Sequence, residues 1–437
     1  MADTPVYTRL KQHSRKKRIP FSMPSHKNMR GLKNDLLNCD VTELRDTLNL
    51  YGKDEAIMQA NEALSEFYGS KSSFILSGGS TLAVQTMIFT ALSSGDTLLA
   101  STDCHMSVIN TCALLGINIK FFDTDLTITP DVKAVLVTSP NYYGVTKDIK
   151  SISEACRKNA VMLLVDEAHG AHFTGKNGLP LSAVSLGADM VCQSAHKTLN
   201  ALTGAAYLHI CSDTPDTERV KKGLCMFSTS SPSYPIAASA DIARSTLATA
   251  DYTRIINECK SFKEKLRVKT EVRILENDDI TRLVLDFSEY EITGFKVLDI
   301  LSDTYGIDAE MADLFNVVLI ASPYNTRRDF KKLCAAVTEI VSRTKKREGK
   351  PALPEIPYIA ERISPNNSLG RKTERTDLEN SIGRVCAATV CVYPPGVAVI
   401  PMGATITKEA AEYLRAYINQ GAECVGLDDG KIEVVTG

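Results

Sequence analysis

Val161-Met162-Leu163-Leu164-Val165-Asp166, followed at once by Glu167-Ala168-His169-Gly170, is the stretch from which the fold can be read. An unbroken apolar run describes a strand buried on both faces, as in a parallel sheet covered by helices. It ends in a carboxylate. Further on, Ala188-Asp189-Met190-Val191-Cys192 leads into Ser194-Ala195-His196-Lys197-Thr198. Similar runs at Ser73 to Leu76, Thr97 to Ala100, Asn118 to Phe122, Lys133 to Thr138 and Ala205 to Ile210 are interleaved with helical stretches. That alternation predicts a mainly parallel α/β sheet, with ligands outside the carboxyl ends of its strands. A lysine by itself says little, because most lie on the surface. A lysine after one strand, with an aspartate ending the strand before it, is the pattern pyridoxal phosphate (PLP) chemistry needs. The amine forms a Schiff base, and the carboxylate partners the pyridinium nitrogen.

Composition narrows the class. The 437 residues allow two or three subdomains, 44% of them are hydrophobic, and the net charge is −2. A nucleic-acid binder is disfavoured; the basic run Arg15-Lys16-Lys17-Arg18 reads as a solvated arm. No apolar segment is long enough to span a bilayer, and Met1-Ala2-Asp3-Thr4 lacks the apolar core of a signal peptide. The 12 cysteines have no zinc-like spacing, so no metal is expected and they read as reduced thiols of a cytoplasmic protein.

Taken in order, Pro24 places His26 and Lys27 on a loop. Apolar residues spaced from Ala56 to Phe67 predict an amphipathic helix over 54–68, ended by Gly69. Ser77-Gly78-Gly79-Ser80-Thr81 joins a strand to a helix from Leu82 to Leu92, and such a turn can cradle a phosphate. His105 follows the strand ending at Ala100 and could stack on a cofactor ring. A helix is expected from about Asp251 to Val268. Ile280 to Phe287, Thr293 to Tyr305 and Asn316 to Ser322 then read as strand, helix and strand. Lys345 to Lys350, the prolines after it and the polar run Pro365 to Asp377 read as a linker, before a rigid Tyr393-Pro394-Pro395-Gly396 turn and a helix from Thr407 to Ile418. The implied division is an arm and connection (1–50), a large cofactor domain (51–250), a small α/β domain (251–345), and a linker with C-terminal domain (346–437).

Asp166-Glu167-Ala168-His169-Gly170-Ala171-His172 and Ser194-Ala195-His196-Lys197-Thr198-Leu199 resemble two signatures of the Orn/Lys/Arg decarboxylase family. These are fold-type I, aspartate aminotransferase-like PLP enzymes. Similar stretches run from Phe21 to Gly403, including Ser139-Pro140-Asn141-Tyr142-Tyr143-Gly144 and Tyr393-Pro394-Pro395-Gly396. Asn141, Ser25, Leu82 and Val84 depart from the family pattern. The motifs begin near the N-terminus, as in the short form of the family.

The resemblance implies a large domain with a mainly parallel seven-stranded sheet and smaller C-terminal α/β regions. It implies Lys197, Asp166, His105, His196 and His169 as catalytic residues. Cofactor contacts would come from Gly79, Ser80, Thr81, His105, Asp166, Ala168, His169, Ser194, His196 and Lys197. Ser228 and Thr229 would reach the phosphate across a dimer interface, so a homodimer or larger assembly with a shared site is expected. The implied reaction is decarboxylation of a basic amino acid: arginine, lysine or ornithine. Lys197, His196 or His169 would return the proton to the α-carbon.

Two acidic positions common in the family are Ala404 and Ala388 here. A buried cation needs a partner, so either Glu310 or Asp313 replaces them or the substrate differs. The alternatives are a PLP-dependent lyase or aminotransferase acting on another amino acid, and an inactive PLP-binding relative.

Overall fold

A computed structural model describes residues 19–21, 40–43, 48–176, 178–349 and 363–436. The basic run Arg15-Lys16-Lys17-Arg18 and the His26-Lys27 loop lie outside them. Seven strands form the main sheet, in the spatial order Ser72–Leu76, Ala206–Ile210, Met190–Gln193, Met162–Asp166, Val132–Thr138, Thr97–Ser101 and Asn118–Phe122. Pairing is parallel from Met190–Gln193 to Asn118–Phe122 and antiparallel at Ala206–Ile210 on both its sides.

Residue alternation explains why both faces are closed. Leu98, Ala100, Leu136 and Leu164 pack into one core with Met87, Ile88 and Val108 from helices Gly79–Ala91 and Met106–Leu115. Their neighbours Leu99, Val135, Val137, Leu163 and Val165 point to the opposite core, which holds Ile149 and Cys156 of helix Ile149–Lys158. Each such buried aliphatic side chain contributes about 1.5–3 kcal/mol. The chain visits Thr97–Ser101, steps outward to Asn118–Phe122, and returns to the other side at Val132–Thr138. The crevice beyond these carboxyl ends is therefore a topological switch point.

Local signals set the helices. Asp54 caps Glu55–Tyr68 by accepting from the amides of Ala56 (3.0 Å) and Ile57 (3.2 Å), and Gly69 ends it at φ 73°. The accessory strand–helix–strand is found at Arg282–Asp286, Gly294–Asp303 and Asn316–Ile320, within a four-stranded antiparallel sheet. The expected helix near residue 251 is Thr253–Lys269, and it is preceded by Tyr234–Thr249, which the hydroxyl-rich Ser228-to-Ser233 segment concealed. Among the described residues no helix is long and apolar enough to cross a membrane.

The linker reading of Pro365 to Asp377 is corrected. Thr373–Asp377 is a strand paired antiparallel with Lys431–Val435, and Pro365–Ser368 is a short helix whose Asn366 donates to the carbonyl of Ala113. The strand is mostly exposed, so it has no apolar alternation to betray it. The Lys345 to Lys350 run is likewise docked where it is described: Arg347 donates to the carbonyls of Ser288 and Tyr290.

Candidate active site

Lys197 stands on the short helix Ala195–Thr198, immediately beyond strand Met190–Gln193. Its Nζ lies 3.0 Å from Nε2 of His169, and Nδ1 of the same ring lies 3.2 Å from Nη2 of Arg282. Arginine can only donate, so Nδ1 must accept. The ring proton is therefore on Nε2, and it is directed at the Lys197 amine. Burial, then the charges of Lys197 and Arg282, hold the His169 imidazole well below its ordinary range. Burial likewise pushes the Lys197 amine down, with Asp166 opposing and Arg282 reinforcing. Burial and the Arg282 charge both favour a neutral His169 and a neutral amine.

Arg282 is 0% exposed, and its Nε and Nη1 have no hydrogen-bond partner among the described residues. Gly144, at φ +85°, permits its approach: a Cβ there would stand 2.9 Å from Cβ of Arg282. Arg282 was absent from the expected site. An arginine inside the apolar strand Arg282–Asp286 was the available signal, because a buried guanidinium has to meet something.

Asp166 closes strand Met162–Asp166. Its Oδ1 accepts from the Ala168 amide (3.1 Å) and from Sγ of Cys192 (3.4 Å). Burial and the Asp166 charge push that thiol well up, keeping it a donor. No described residue hydrogen-bonds Oδ2, and Asp166 lines the cavity.

His105 lines the same cavity and caps helix Met106–Leu115. Its Nδ1 accepts from the Ser107 amide at 3.1 Å, leaving the proton of the neutral ring on Nε2. The Tyr393-Pro394-Pro395-Gly396 turn packs on this ring. A Cβ at Gly396 (φ +79°) would sit 3.0 Å from His105 Nε2, so the close approach requires glycine.

The remaining wall carries the hydrogen-bonding groups. Helix Gly79–Ala91 has no side-chain cap, and Gly79, Ser80 and Thr81 of its first turn line the cavity. Oγ of Ser194 and Oγ1 of Thr138 are buried there without hydrogen-bond partners among the described residues. His196 Nδ1 donates to the carbonyl of Ala205 at 3.0 Å. Burial lowers its pKa, so Nε2 is an acceptor.

The cavity, about 480 Å³, gathers Gly79, Ser80, Thr81, His105, Asp166, Ala168, His169, Ser194, His196 and Lys197 from the expected set. Ser228 and Thr229 do not line it in the single chain, and neither do Ala388 or Ala404. Tyrosines form much of the outer wall. Tyr142 packs edge-on to His169 (4.5 Å) and donates to Glu310 at 2.7 Å, while Tyr143 donates to Asp313 at 2.7 Å. Tyr413 and Tyr417, stacked at 4.7 Å, come from helix Lys408–Ile418.

The Orn/Lys/Arg decarboxylase major-domain model matches residues 4–127 and 117–285, and the C-terminal-domain model matches residues 355–430. An arginine decarboxylase of Bacillus subtilis (strain 168) is 29% identical, over 99% of this chain and 97% of its own length. The lysine decarboxylase LdcF of Francisella novicida superposes with a TM-score of 0.74 at 17% identity, covering 92% of this chain and 75% of that one. A structure of SPT with PLP superposes with a TM-score of 0.60 at 19% identity, covering 74% of this chain and 87% of that one. These last two likenesses establish the fold as that of the fold-type I enzymes. On the two family models, which together span most of its length, this chain belongs to the Orn/Lys/Arg decarboxylase family.

Proposed function

We propose that this protein is a PLP-dependent decarboxylase of a basic amino acid. The observation that carries the reading is one cavity in which a buried lysine amine, an open carboxylate oxygen and an uncapped helix N-terminus converge. These features fit the cofactor. Lys197 would hold it covalently, and Oδ2 of Asp166 would meet its ring nitrogen. His105 would cover its ring, while Gly79, Ser80 and Thr81 would take its phosphate. The buried hydroxyls of Ser194 and Thr138, unpaired among the described residues, offer further hydrogen bonds. When bound, PLP supplies an electron sink for the pair left behind as carbon dioxide departs.

The chain's own part is to orient the substrate and to manage one proton. His169 directs its only N–H at Lys197, and His196 presents a lone pair from Nε2. Of the three residues considered for protonating the substrate carbon, Lys197 Nζ is therefore the favoured carrier. A second proton on His169 would turn Nδ1 into a donor facing Arg282, which cannot accept it.

Arg282 is thus a positioning residue, and Arg282→Met tests it. Removing the cation raises the pKa of both His169 and Lys197, so their protonated forms persist to higher pH. The acid limb of kcat/KM, and of the rate at which apoprotein attaches PLP, should move up by about one pH unit. An unshifted profile in both measurements would remove Arg282 from this role.

Mass-spectrometric product analysis with arginine, lysine and ornithine tests the function. Agmatine, cadaverine or putrescine is expected from one of them, and a keto acid instead would point to the aminotransferase alternative. Because Ser228 and Thr229 stay outside their own cavity, we place them at a neighbour's site in a homodimer. Specific activity should then fall on dilution, and full activity of a monomer would refute the shared site. A cytoplasmic location accords with this reading.

A further inference from the structure

We infer that Asp313, acting with Tyr143 and the Tyr413–Tyr417 pair, holds the distal cation of the substrate. The inference rests on the decarboxylase reading and says which residues choose its substrate. The family's two acidic positions are alanine here, and neither Ala388 nor Ala404 lines the cavity. The acceptor therefore has to be found among the carboxylates that do.

Three carboxylates line it: Asp103, Asp166 and Asp313. Asp103 is paired with Lys147 at 2.5 Å. Asp166 lies beside Lys197, beyond strand Met162–Asp166, where the cofactor's ring nitrogen is proposed. Asp313 remains. It has no ion-pair partner among the described residues, and it is held rigidly. Its Oδ1 accepts from the amides of Phe315 and Asn316, both at 2.8 Å, and Asn316 Nδ2 donates to Oδ2 at 2.9 Å. These bonds fix the orientation of a buried carboxylate.

Tyr143 completes the acceptor. Its hydroxyl proton is committed to Asp313 Oδ2, so the phenolic oxygen lone pairs are left for a donor in the cavity. A cation there would donate to Tyr143 Oη with the Asp313 charge directly behind it. The stacked Tyr413 and Tyr417 rings add aromatic faces, which attract ammonium and guanidinium groups. Polar acceptor, buried charge and ring face together suit a cation better than an apolar or acidic side chain.

The experiment compares each basic substrate with its uncharged isostere, arginine with citrulline and lysine with norleucine, on the PLP-loaded full chain. Wild type should prefer the cation. Asp313→Asn keeps the acceptor for the Phe315 and Asn316 amides, so the hairpin should survive. The preference should fall by about 30-fold or more, the scale of losing the partner of a desolvated charge. The loss should appear in KM, with kcat on the cation retained. Tyr143→Phe should act in the same direction and provides the test if Asp313→Asn misfolds. Calorimetry gives a second readout: cadaverine should bind more weakly to Asp313→Asn, and pentylamine, which lacks the distal cation, should not. Undiminished preference in both variants would overturn the assignment while leaving the decarboxylase reading intact. No amine from any basic amino acid with the wild type would overturn both.

Discussion

Lys197→Ala protein carries no PLP that borohydride can fix to the chain, and its turnover falls by at least about 10⁴-fold. The magnitude follows from what the amine does here. It is held 3.0 Å from His169 and its pKa is lowered by burial, so it is a nucleophile fixed at its point of use. Free amine in solution cannot match that orientation, because a bimolecular encounter replaces an intramolecular one. Alanine removes the proton carrier as well as the attachment point, so added methylamine should restore only a small part of the rate. Peptide mapping after reduction locates the adduct. A reduced adduct at another lysine, with turnover preserved, would refute the assignment of Lys197.

Much of this site was legible in the sequence because its residues are local to strand ends. Asp166 directly follows an apolar run, Lys197 follows the next, and the Gly79-Ser80-Thr81 turn bridges a strand and a helix. Each needs only short-range pattern to be placed. Arg282 was not legible, because its contact with His169 spans 113 residues and no periodicity encodes it. The same holds for Tyr413 and Tyr417. Their spacing marks one face of helix Lys408–Ile418, and a core stripe would show the same spacing. Composition misled at Thr373–Asp377 for a different reason. Its partner strand lies near the C-terminus, and its polar side chains make ion pairs, Arg375 with Asp428 and Glu374 with Arg384. A strand stabilised that way has the composition of a linker. Asp313 was legible as a candidate, while its fixation by Asn316 and Tyr143 required the hairpin geometry.

Asp166→Asn separates cofactor attachment from cofactor activation. The amide is close to isosteric with the carboxylate and can still accept from the Ala168 amide, so the strand end should keep its shape. What it loses is the negative charge that faces the cavity through Oδ2. A nearby anion raises the pKa of a cation by about 1–3 units, and without it a bound pyridine nitrogen no longer keeps its proton. Without the Asp166 charge the electron sink that PLP would supply would be weaker, and kcat should fall by about 10²–10³-fold. Attachment responds differently. Asp166 also raises the pKa of the Lys197 amine, so its removal leaves more of that amine unprotonated at a given pH. PLP should therefore still be fixed to Lys197 by borohydride, and the apoprotein should take it up at lower pH than wild type does. Lost kcat with retained attachment is the signature of a group acting on the ring nitrogen. A merely structural role would weaken both together, and a kcat within about threefold of wild type would show that the Asp166 charge does not act on the bond being broken.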